Sequence, residues 1–278
     1  METASDTQVE VSVVIPAYNM GEYVDGAIRS VLRGAFQDFE VLLIDDGSTD
    51  GTRSTVEKYT DPSSVSYDPR VRYEYQKNRG KSSAVNRGFR IARGKYVTML
   101  DADDQLTPES LKVRYGARSQ ENGAHCDVIV GGFEVFDCSG TRGRRSSPDF
   151  GDPQWLHNRF YLRWRTPFHL NACLLSSDLV DRVGGLDEGL HRCIDGDYAL
   201  RLLQTAENVQ VVDKIVYRYR KHRSSWLERV KFRTRTAWYR PQVIWKNYSG
   251  WRRWVGVPFG VALDTGKLFY ELVDSYKK

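Results

Sequence analysis

Short apolar runs alternate with amphipathic segments along the first hundred residues. The runs VSVVIP (11–16) and EVLLID (40–45) are rich in β-branched residues and leucine, which is typical of strands buried on both faces of a parallel sheet. Between them, the segment EYVDGAIRSVLRG places four apolar residues on one helical face: Val24, Ile28, Val31 and Leu32. This pattern predicts a strand–helix–strand unit.

A second unit of the same kind follows. The segment STDGTRSTVEKYT predicts a helix with Ser48 or Asp50 as its cap, VRYEYQ (71–76) a strand, SSAVNRGFRIAR a helix, and KYVTML the next strand. Strands that alternate with helices predict a doubly wound α/β sheet, in which ligands bind beyond the carboxyl ends of the strands. Because PAYN, DDGSTD and DADD all follow predicted strands, we expect them at one edge of the sheet.

The second half of the chain has a less regular pattern. Residues 137–153 are rich in Gly, Ser, Pro and Arg without apolar periodicity, which predicts a long loop of the kind that often serves binding. The segment GDYALRLLQTA then predicts a helix and VQVVDKIVYRYR a strand. Since the character of the sequence changes near residue 223, we predict a domain at 1–225 and an extension at 226–278.

Composition narrows the class of protein. A chain of 278 residues with 40% hydrophobic residues is long and apolar enough to bury one large core, or one core plus an appendage. Its four cysteines show neither metal-site spacing nor a dense disulfide framework, which fits a reducing compartment. The polar start METASDTQVE lacks the features of a signal peptide, and no apolar run is long enough to span a bilayer, so we expect a cytoplasmic protein.

Three carboxylates crowd the segment VTMLDADDQLTP (97–108) directly after an apolar run: Asp101, Asp103 and Asp104. Like charges at this spacing raise one another's pKa and destabilise the fold unless a positive charge lies among them, which favours a bound cation. The alternative is an acidic turn, in which Asp104 caps the helix that begins near Pro108 and the other two are solvated. Their position at a strand end favours the cation.

Several ordered motifs resemble those of one known family. VSVVIPAYN, VLLIDDGSTDGT, NRGKSSAVNRGF, ARGKYVTMLDADD, VGGLDE and IDGDYALRLL look like the successive signatures of the inverting GT-A glycosyltransferases of family two, over roughly residues 10–225. The resemblance implies a Rossmann-like, mostly parallel sheet of the GT-A type. From the composition of the C-terminal residues we expect a basic, Trp-rich helical extension after it. It also implies transfer of a sugar from a UDP-sugar, or alternatively a dTDP-sugar, to a hydroxyl of a glycan or lipid-linked acceptor.

The resemblance also implies a metal cofactor, Mn²⁺ or Mg²⁺, because a divalent cation neutralises the charge that develops on a diphosphate leaving group. By similarity to the DxD pattern, Asp103 is the direct metal ligand and Asp101 faces the ribose or the water shell of the metal. Helix capping remains the expected role of Asp104. The segment YRYRKHRSSW resembles YRxHxxS and makes His222 the second protein ligand, while two arginines help to hold the diphosphate: Arg220 and Arg223.

The first two motifs imply nucleotide contacts. Asp46 matches the position whose carboxylate accepts a hydrogen bond from the imide N–H of uracil or thymine, whereas Asp45 serves the turn; DDGS alone would predict only a turn. Tyr18 is expected to stack on the base, with ordinary packing beside the strand as the alternative. All four residues of PAYN belong to the expected nucleotide site: Pro16, Ala17, Tyr18 and Asn19.

One motif departs from the family pattern. NRGKSSAVNRG carries Val85 where the family has an arginine before the second asparagine, so a contact with the sugar or phosphate lacks its guanidinium group. Arg79 or Lys81 could supply this contact, and the alternative is a solvated, basic start of a helix. We include Lys81 in the expected nucleotide site.

Inversion at the anomeric carbon needs a base that takes the proton of the acceptor hydroxyl, and one carboxylate suffices. The family has an acidic pair written ED. Here the first acid is replaced by Ile194 and Asp195 occupies the base position, although an acid at a helix N-terminus is an ordinary alternative. Asp197 precedes the periodic YALRLL and is expected to cap or orient that helix.

Two rival functions stay open, and the missing acid and the missing arginine motivate the first of them. One is a nucleotide-sugar-binding protein without transfer activity. The other is a metal-dependent nucleotidyltransferase, which would release pyrophosphate instead of a nucleoside diphosphate.

Basic residues interleave with tryptophans between residues 223 and 258, where Glu228 is the lone acid. This mixture suits an anionic membrane interface, where indole rings lie at the headgroups. The same mixture suits an anionic acceptor site, and the alternative is that the tryptophans pack on the domain. We rank membrane contact, at the inner face of the membrane, and packing equally, and nucleic acid below both.

Overall fold

A mixed sheet organises the chain. The computed structural model describes residues 9–119, 123–145, 168–222, 239 and 241–249. Within these residues the strands form one sheet in the order β3-β2-β1-β4-β8-β6-β9-β5, with β7 paired to β6. The strands are β1 (Val11–Ala17), β2 (Phe39–Asp45), β3 (Val71–Tyr75), β4 (Tyr96–Met99), β5 (Gln105–Leu106), β6 (Val128–Asp137), β7 (Gly140–Arg145), β8 (Cys173–Ser176) and β9 (Val209–Arg220).

Helices connect the strands of the first half, as the alternating pattern predicts. The helices are α1 (Val24–Leu32), α2 (Thr52–Thr60), α3 (Lys81–Ile91), α4 (Ser110–Gly116), α5 (Ser177–Val183) and α6 (Ile194–Thr205), and a 3₁₀ turn covers Leu170–Ala172. Residues 241–247 are helical as well. The predicted apolar face of α1 is confirmed, since Val24, Ile28 and Val31 are buried together with Ala27. None of the helices in the described ranges is long and apolar enough to cross a membrane.

The first half of the sheet is parallel. Strands β3, β2, β1 and β4 pair in parallel, with Ala17 opposite Asp45 and Val14 opposite Met99. Every residue of β1 and β2 is buried, which explains why their sequences read as continuous apolar runs rather than as alternating ones. The carboxyl ends of β1, β2 and β4 therefore lie along one edge, as predicted.

The second half of the sheet is mixed. Strand β8 lies between β4 and β6 and runs antiparallel to both, β9 pairs with β6 in parallel, and β5 pairs with β9 in antiparallel. The mostly parallel arrangement expected from the sequence thus describes the first half alone. Strand direction in the second half depends on long-range pairing, which an alternation of apolar and polar residues does not encode.

The predicted loop at 137–153 is wrong for its first part, because residues 140–145 form β7, which pairs with β6 as a hairpin. The turn is fixed by Asp137, whose Oδ1 accepts the Ser139 N–H at 2.9 Å, and by Gly140 at a φ of 112°. The side chains described in β7 are exposed, so the strand lacks the apolar alternation that would reveal it. Residues 146–153 lie outside the described ranges.

The chain divides into two compact units. The first comprises Met1–Phe150, Phe168–Leu186 and Thr205–Lys221, and the second Gly151–Pro167, Asp187–Gln204 and His222–Lys278. Most of the core belongs to the sheet of the first unit. In the second unit, α6 contributes Leu200 to a smaller cluster with Leu190, Val243, Ile244 and Tyr248. The predicted extension from 226 lies outside the described residues, apart from 239 and 241–249, and its boundary stays a prediction.

Candidate functional site

The motifs at the ends of β1 and β2 are tied together. Asn19 has a φ of 53°, a left-handed conformation that places its backbone N–H 2.9 Å from Ser48 Oγ, while its side-chain Oδ1 accepts the Thr49 N–H at 2.9 Å. Gly47 has a φ of 82°, and a Cβ atom there would lie 2.8 Å from the Asn78 backbone nitrogen. The close approach of residue 78 therefore requires glycine in the DDGS turn.

The two acids of DDGS have different partners. Asp45 serves the turn, as expected, because its Oδ1 accepts the Ser48 N–H at 2.8 Å and its Oδ2 accepts the Tyr73 hydroxyl at 2.7 Å. Asp46 is buried, and its carboxylate accepts three hydrogen bonds at 2.7–2.9 Å from the segment 76–80: Gln76 Nε2, Arg79 N and Gly80 N. These three bonds hold the segment 76–80 in place. A carboxylate has about four acceptor positions, so Asp46 keeps one position for a further donor.

Tyr18 lies just beyond β1 and is 48% exposed. Packing beside the strand, the alternative for this residue, does not account for a ring that is open to solvent at the edge of the sheet. Pro16 and Ala17 are buried at the end of β1. The edge therefore presents an exposed aromatic face next to backbone groups, which is an arrangement that can receive a planar base.

Lys81 begins α3 and pairs with the acidic segment after β4. Its Nζ lies 2.6 Å from Asp101 Oδ1 and 2.8 Å from Oδ2. Burial would raise the pKa of Asp101, but Lys81 and smaller contributions that include the charge of His169 lower it below its usual value, so the carboxylate stays charged. Val85 is fully buried in α3, and the position of the family arginine is thus a core position in this chain. The basic group nearest to the acids on this helix is Lys81.

The three acids beyond β4 form a cluster. Ligand atoms of Asp101, Asp103 and Asp104 lie within 4.8 Å of one another, with Asp104 buried and the other two partly buried. Burial, together with the charges of Asp103 and Asp101, raises the pKa of Asp104 to about 7, although hydrogen bonds from Arg220 and Tyr217 oppose the shift. Closely spaced carboxylate oxygens are the ligands that Mg²⁺ and Mn²⁺ prefer, and a cation would relieve this repulsion. The donor set therefore fits a divalent cation.

The prediction that Asp104 caps the following helix is wrong. The N-cap position of α4 is Glu109, and no side chain caps that helix. Asp104 instead turns to β9: its Oδ2 accepts the Tyr217 hydroxyl, and its Oδ1 accepts the Arg220 N–H at 2.5 Å. A strand more than a hundred residues away in sequence supplies donors that outcompete the local backbone, which explains the error.

Arg220 contacts the acidic segment through its backbone and its side chain. Its Nε donates to the Asp103 carbonyl oxygen at 2.7 Å, and its guanidinium group lies over the Tyr23 and Phe136 rings at 5.3 and 4.5 Å. The diphosphate contact expected of Arg220 stays a prediction, and the structure shows the Arg220 side chain donating to the backbone of Asp103. Sequence reasoning missed Tyr217, which contacts Asp104, and the only signal was its place in the YRYR strand.

The second unit holds the expected base. Asp195 lies in the first turn of α6, is exposed, and makes no hydrogen bond or ion pair with the residues that the structure describes. Asp197, two residues later, is fully buried and accepts hydrogen bonds from Arg201 Nε at 2.9 Å and Asn247 Nδ2 at 2.8 Å. Asp197 thus orients α6 against the segment 241–247, which is one of the two roles predicted for it. Asp195, by contrast, is available to a ligand.

The predicted site residues fall into the two units. The first unit brings together the end of β1, Asp46, Lys81, Asp101 and Asp103 along the edge of its sheet. Asp195 and His222 belong to the second unit, and the His222 side chain is exposed.

A mixed α/β sheet with an acidic cluster beyond its parallel strands is the arrangement expected of the GT-A fold. The family described as Glycosyl transferase family 2 matches residues 12–182, more than half of the chain. The protein belongs to this family, and the resemblance noted in its sequence motifs is confirmed.

Similar proteins agree with this assignment. The glycosyltransferase GlyG of Streptococcus pneumoniae is 34% identical over 128 residues, which cover 46% of this chain and 40% of that relative. The chain thus spans less than half of the length of GlyG.

Two solved structures have the same fold. TarS 1-349 of S. aureus in complex with UDP-GlcNAc has a TM-score of 0.63 and 20% identity, covering 94% of this chain and 73% of that chain. The mannosyltransferase PcManGT of Pyrobaculum calidifontis, in complex with GDP-Man and Mn²⁺, has a TM-score of 0.62 and 16% identity, covering 98% and 76%. At these identities the likeness shows the GT-A fold.

Proposed function

We propose that the protein is a metal-dependent, inverting glycosyltransferase that moves a sugar from a UDP-sugar to a hydroxyl of a glycan or lipid-linked acceptor. The observation that carries this proposal is the cluster of Asp101, Asp103 and Asp104 beyond β4, on the same edge as Tyr18 and Asp46. Family membership supports the reaction class.

The nucleotide binds at the ends of β1 and β2. Tyr18 offers its exposed ring to the base, and the remaining acceptor position of Asp46 takes the imide N–H of uracil. The TarS complex with UDP-GlcNAc supports a uracil donor, whereas PcManGT binds GDP-Man, so the fold alone does not select the base. Thymine carries the same imide, which keeps a dTDP-sugar as the alternative donor.

Asp103 would hold the cation, and Mn²⁺ or Mg²⁺ would neutralise the negative charge of the departing diphosphate. The resemblance of YRYRKHRSSW to YRxHxxS is what supports His222 as a second metal ligand. Asp101 keeps its charge through the ion pair with Lys81, and we assign it to the ribose or to the water shell of the metal. This chain carries Lys81 on the helix where the family pattern has an arginine at the position of Val85.

Asp195 takes the proton of the acceptor hydroxyl as its oxygen attacks the anomeric carbon in line with the leaving diphosphate. The attack forms the new glycosidic bond and releases UDP, with inversion at carbon 1. Asp195 is exposed and makes no hydrogen bond or ion pair with the described residues, so its carboxylate is open to an acceptor hydroxyl.

The experiment that tests this function measures both products. Purified protein with a panel of UDP-sugars, glycan or lipid-linked acceptors and Mn²⁺ should release UDP in step with glycosylated acceptor. Pyrophosphate release would indicate a nucleotidyltransferase. Donor binding without either product, across the panel, would indicate a binding protein.

The role of Asp46 predicts a difference between UDP and 3-methyl-UDP, which keeps the charge and the ring but lacks the imide N–H. A hydrogen bond to a charged acceptor contributes about 1.5–3 kcal/mol, so 3-methyl-UDP should bind about 10–100-fold more weakly. Thermal shift at matched concentrations should show a smaller rise in Tm for 3-methyl-UDP and for GDP than for UDP. Equal protection by UDP and 3-methyl-UDP would remove Asp46 from the site.

We also propose that the basic, Trp-rich segment 226–258 contacts an anionic membrane surface, on the strength of its sequence. Each basic residue near such a surface contributes about 1 kcal/mol, so the protein should co-sediment with vesicles rich in phosphatidylserine and be released by salt. Phosphatidylcholine vesicles are the control. Absence of binding to anionic vesicles at low salt would favour packing of the tryptophans on the protein.

A further inference from the structure

A buried chain of hydrogen bonds lies behind the acidic cluster. Asn171 Nδ2 donates to the Tyr217 hydroxyl at 2.9 Å, and that hydroxyl donates to Asp104 Oδ2. All three side chains are buried, with exposures of 3% for Asn171, 0% for Tyr217 and 1% for Asp104. Three separate parts of the first unit thus converge on one carboxylate: the 3₁₀ turn before β8, strand β9, and the segment after β4.

The same carboxylate fixes the backbone around it. Asp104 Oδ1 accepts the Arg220 N–H at 2.5 Å, and the Arg220 side chain donates through Nε to the Asp103 carbonyl oxygen at 2.7 Å. On the other side, β5 begins at Gln105 and pairs with β9, where Leu106 lies opposite Tyr217. Two sets of contacts therefore hold the backbone of Asp103 against the end of β9: the hydrogen bonds of Arg220 and the pairing of β5 with β9.

Asp104 therefore differs from Asp101 and Asp103 in its hydrogen bonds and in its burial. Both oxygens of Asp104 already accept hydrogen bonds from protein donors, and its carboxylate is buried. A buried network of this type is rigid when every member is satisfied, and removal of one donor leaves the others without a partner. Loss of a hydrogen bond that orients a metal ligand typically weakens metal affinity by about 10–100-fold, and here the bonds to Asp104 reach Asp103 through Arg220.

We propose that Tyr217 and Asn171 are positioning residues that hold Asp104 as a structural clamp, so that the clamp presents Asp103 to the cation while Asp104 itself is not a ligand. This inference rests on the proposed function, and specifically on cation binding by Asp103. It assigns roles to two residues that no motif of the sequence had singled out.

The test measures Mn²⁺ affinity of the full chain, with UDP present, from the free Mn²⁺ signal in electron paramagnetic resonance. Tyr217→Phe keeps the ring and removes only the hydroxyl, and it should raise the Kd for Mn²⁺ by about 10–100-fold. The concentration of Mn²⁺ that gives half-maximal transfer should rise by the same factor, with kcat at saturating Mn²⁺ close to wild type. A merely structural residue would lower Tm without moving this Mn²⁺ dependence.

Tyr59→Phe is the matched control. Tyr59 is also buried, donates its hydroxyl to Asp25 Oδ1 at 2.7 Å and accepts from Arg29 Nε at 3.0 Å, so it loses the same kind of bond away from the cluster. This variant should keep the wild-type Kd for Mn²⁺. If Tyr217→Phe does not fold, Asn171→Ala serves instead, with an expected rise in Kd of about tenfold because the amide donates to the Tyr217 hydroxyl.

The outcomes separate this inference from the proposed function. Wild-type Mn²⁺ affinity in Tyr217→Phe, or in Asn171→Ala where that variant serves, overturns the inference alone, provided that Asp103→Ala loses Mn²⁺. If Asp103→Ala also keeps wild-type affinity, the metal assignment fails and the inference fails with it. An equal loss of Mn²⁺ affinity in Tyr59→Phe would show a general effect of lost stability and would also overturn the inference.

Discussion

Replacing Asp103 by alanine should lower the rate of sugar transfer by about 10²–10⁴-fold, and EDTA should abolish transfer until Mn²⁺ or Mg²⁺ is added back. A cation that neutralises the departing diphosphate contributes several kcal/mol to the transition state, and each 1.36 kcal/mol corresponds to a factor of ten in rate. Asp103 belongs to the cluster of carboxylate oxygens beyond β4, where the donor set fits a divalent cation. Steady-state transfer with and without chelator measures the effect.

Asp213→Ala is a suitable control for that experiment because Asp213 is an exposed acid in β9 and lies outside the cluster. It should transfer at the wild-type rate and respond to EDTA as wild type does. Full transfer in excess EDTA, by protein shown to be free of metal, would contradict the metal assignment of Asp103.

The parallel half of the sheet was predictable because both faces of its strands are buried. Continuous apolar runs such as β1 and β2, each followed by a helix, are typical of buried strands in a parallel sheet and fit few other structures. The second half was not predictable in the same way. Strand β7 is an exposed edge strand whose polar sequence is typical of a loop, and only its pairing with β6 makes it a strand.

In the candidate site, as in the sheet, contacts between residues close in sequence were predictable and contacts between distant residues were not. The turn role of Asp45 follows from residues within three positions, and the structure has the expected bond to the Ser48 N–H. The role of Asp104 depends on Tyr217, which is 113 residues away in sequence. Helix capping was a sound local interpretation, but a buried carboxylate takes the donors that the tertiary fold provides.

The departure from the family pattern at Val85 has a physical explanation in the structure. An arginine at a fully buried core position of α3 would need its own partners, whereas valine packs there without any. Lys81, at the start of the same helix, pairs with Asp101 and brings a positive charge to the acids. The basic group near the cluster is thus supplied four positions earlier in the sequence.

Replacing Asp195 by asparagine should lower kcat for transfer by about 10²–10⁴-fold, the usual contribution of general-base catalysis. Asparagine keeps the shape of the side chain but removes the basic lone pair that would accept the proton of the acceptor hydroxyl. Donor affinity should stay unchanged, because the proton is taken from the acceptor and Asp195 has no assigned contact with the nucleotide. A UDP-sugar titration and a transfer assay on the same variant measure the two quantities.

Two further variants distinguish a base from a residue that supports the helix. Asp197→Asn should lower Tm, because the buried Asp197 carboxylate accepts hydrogen bonds from Arg201 and Asn247, whereas Asp195→Asn should keep the wild-type Tm since Asp195 is exposed. Asp181→Asn removes an equally exposed acid from α5 and should transfer at the wild-type rate. A folded Asp195→Asn variant that binds donor and transfers at the wild-type rate would mean that another group takes the proton of the acceptor.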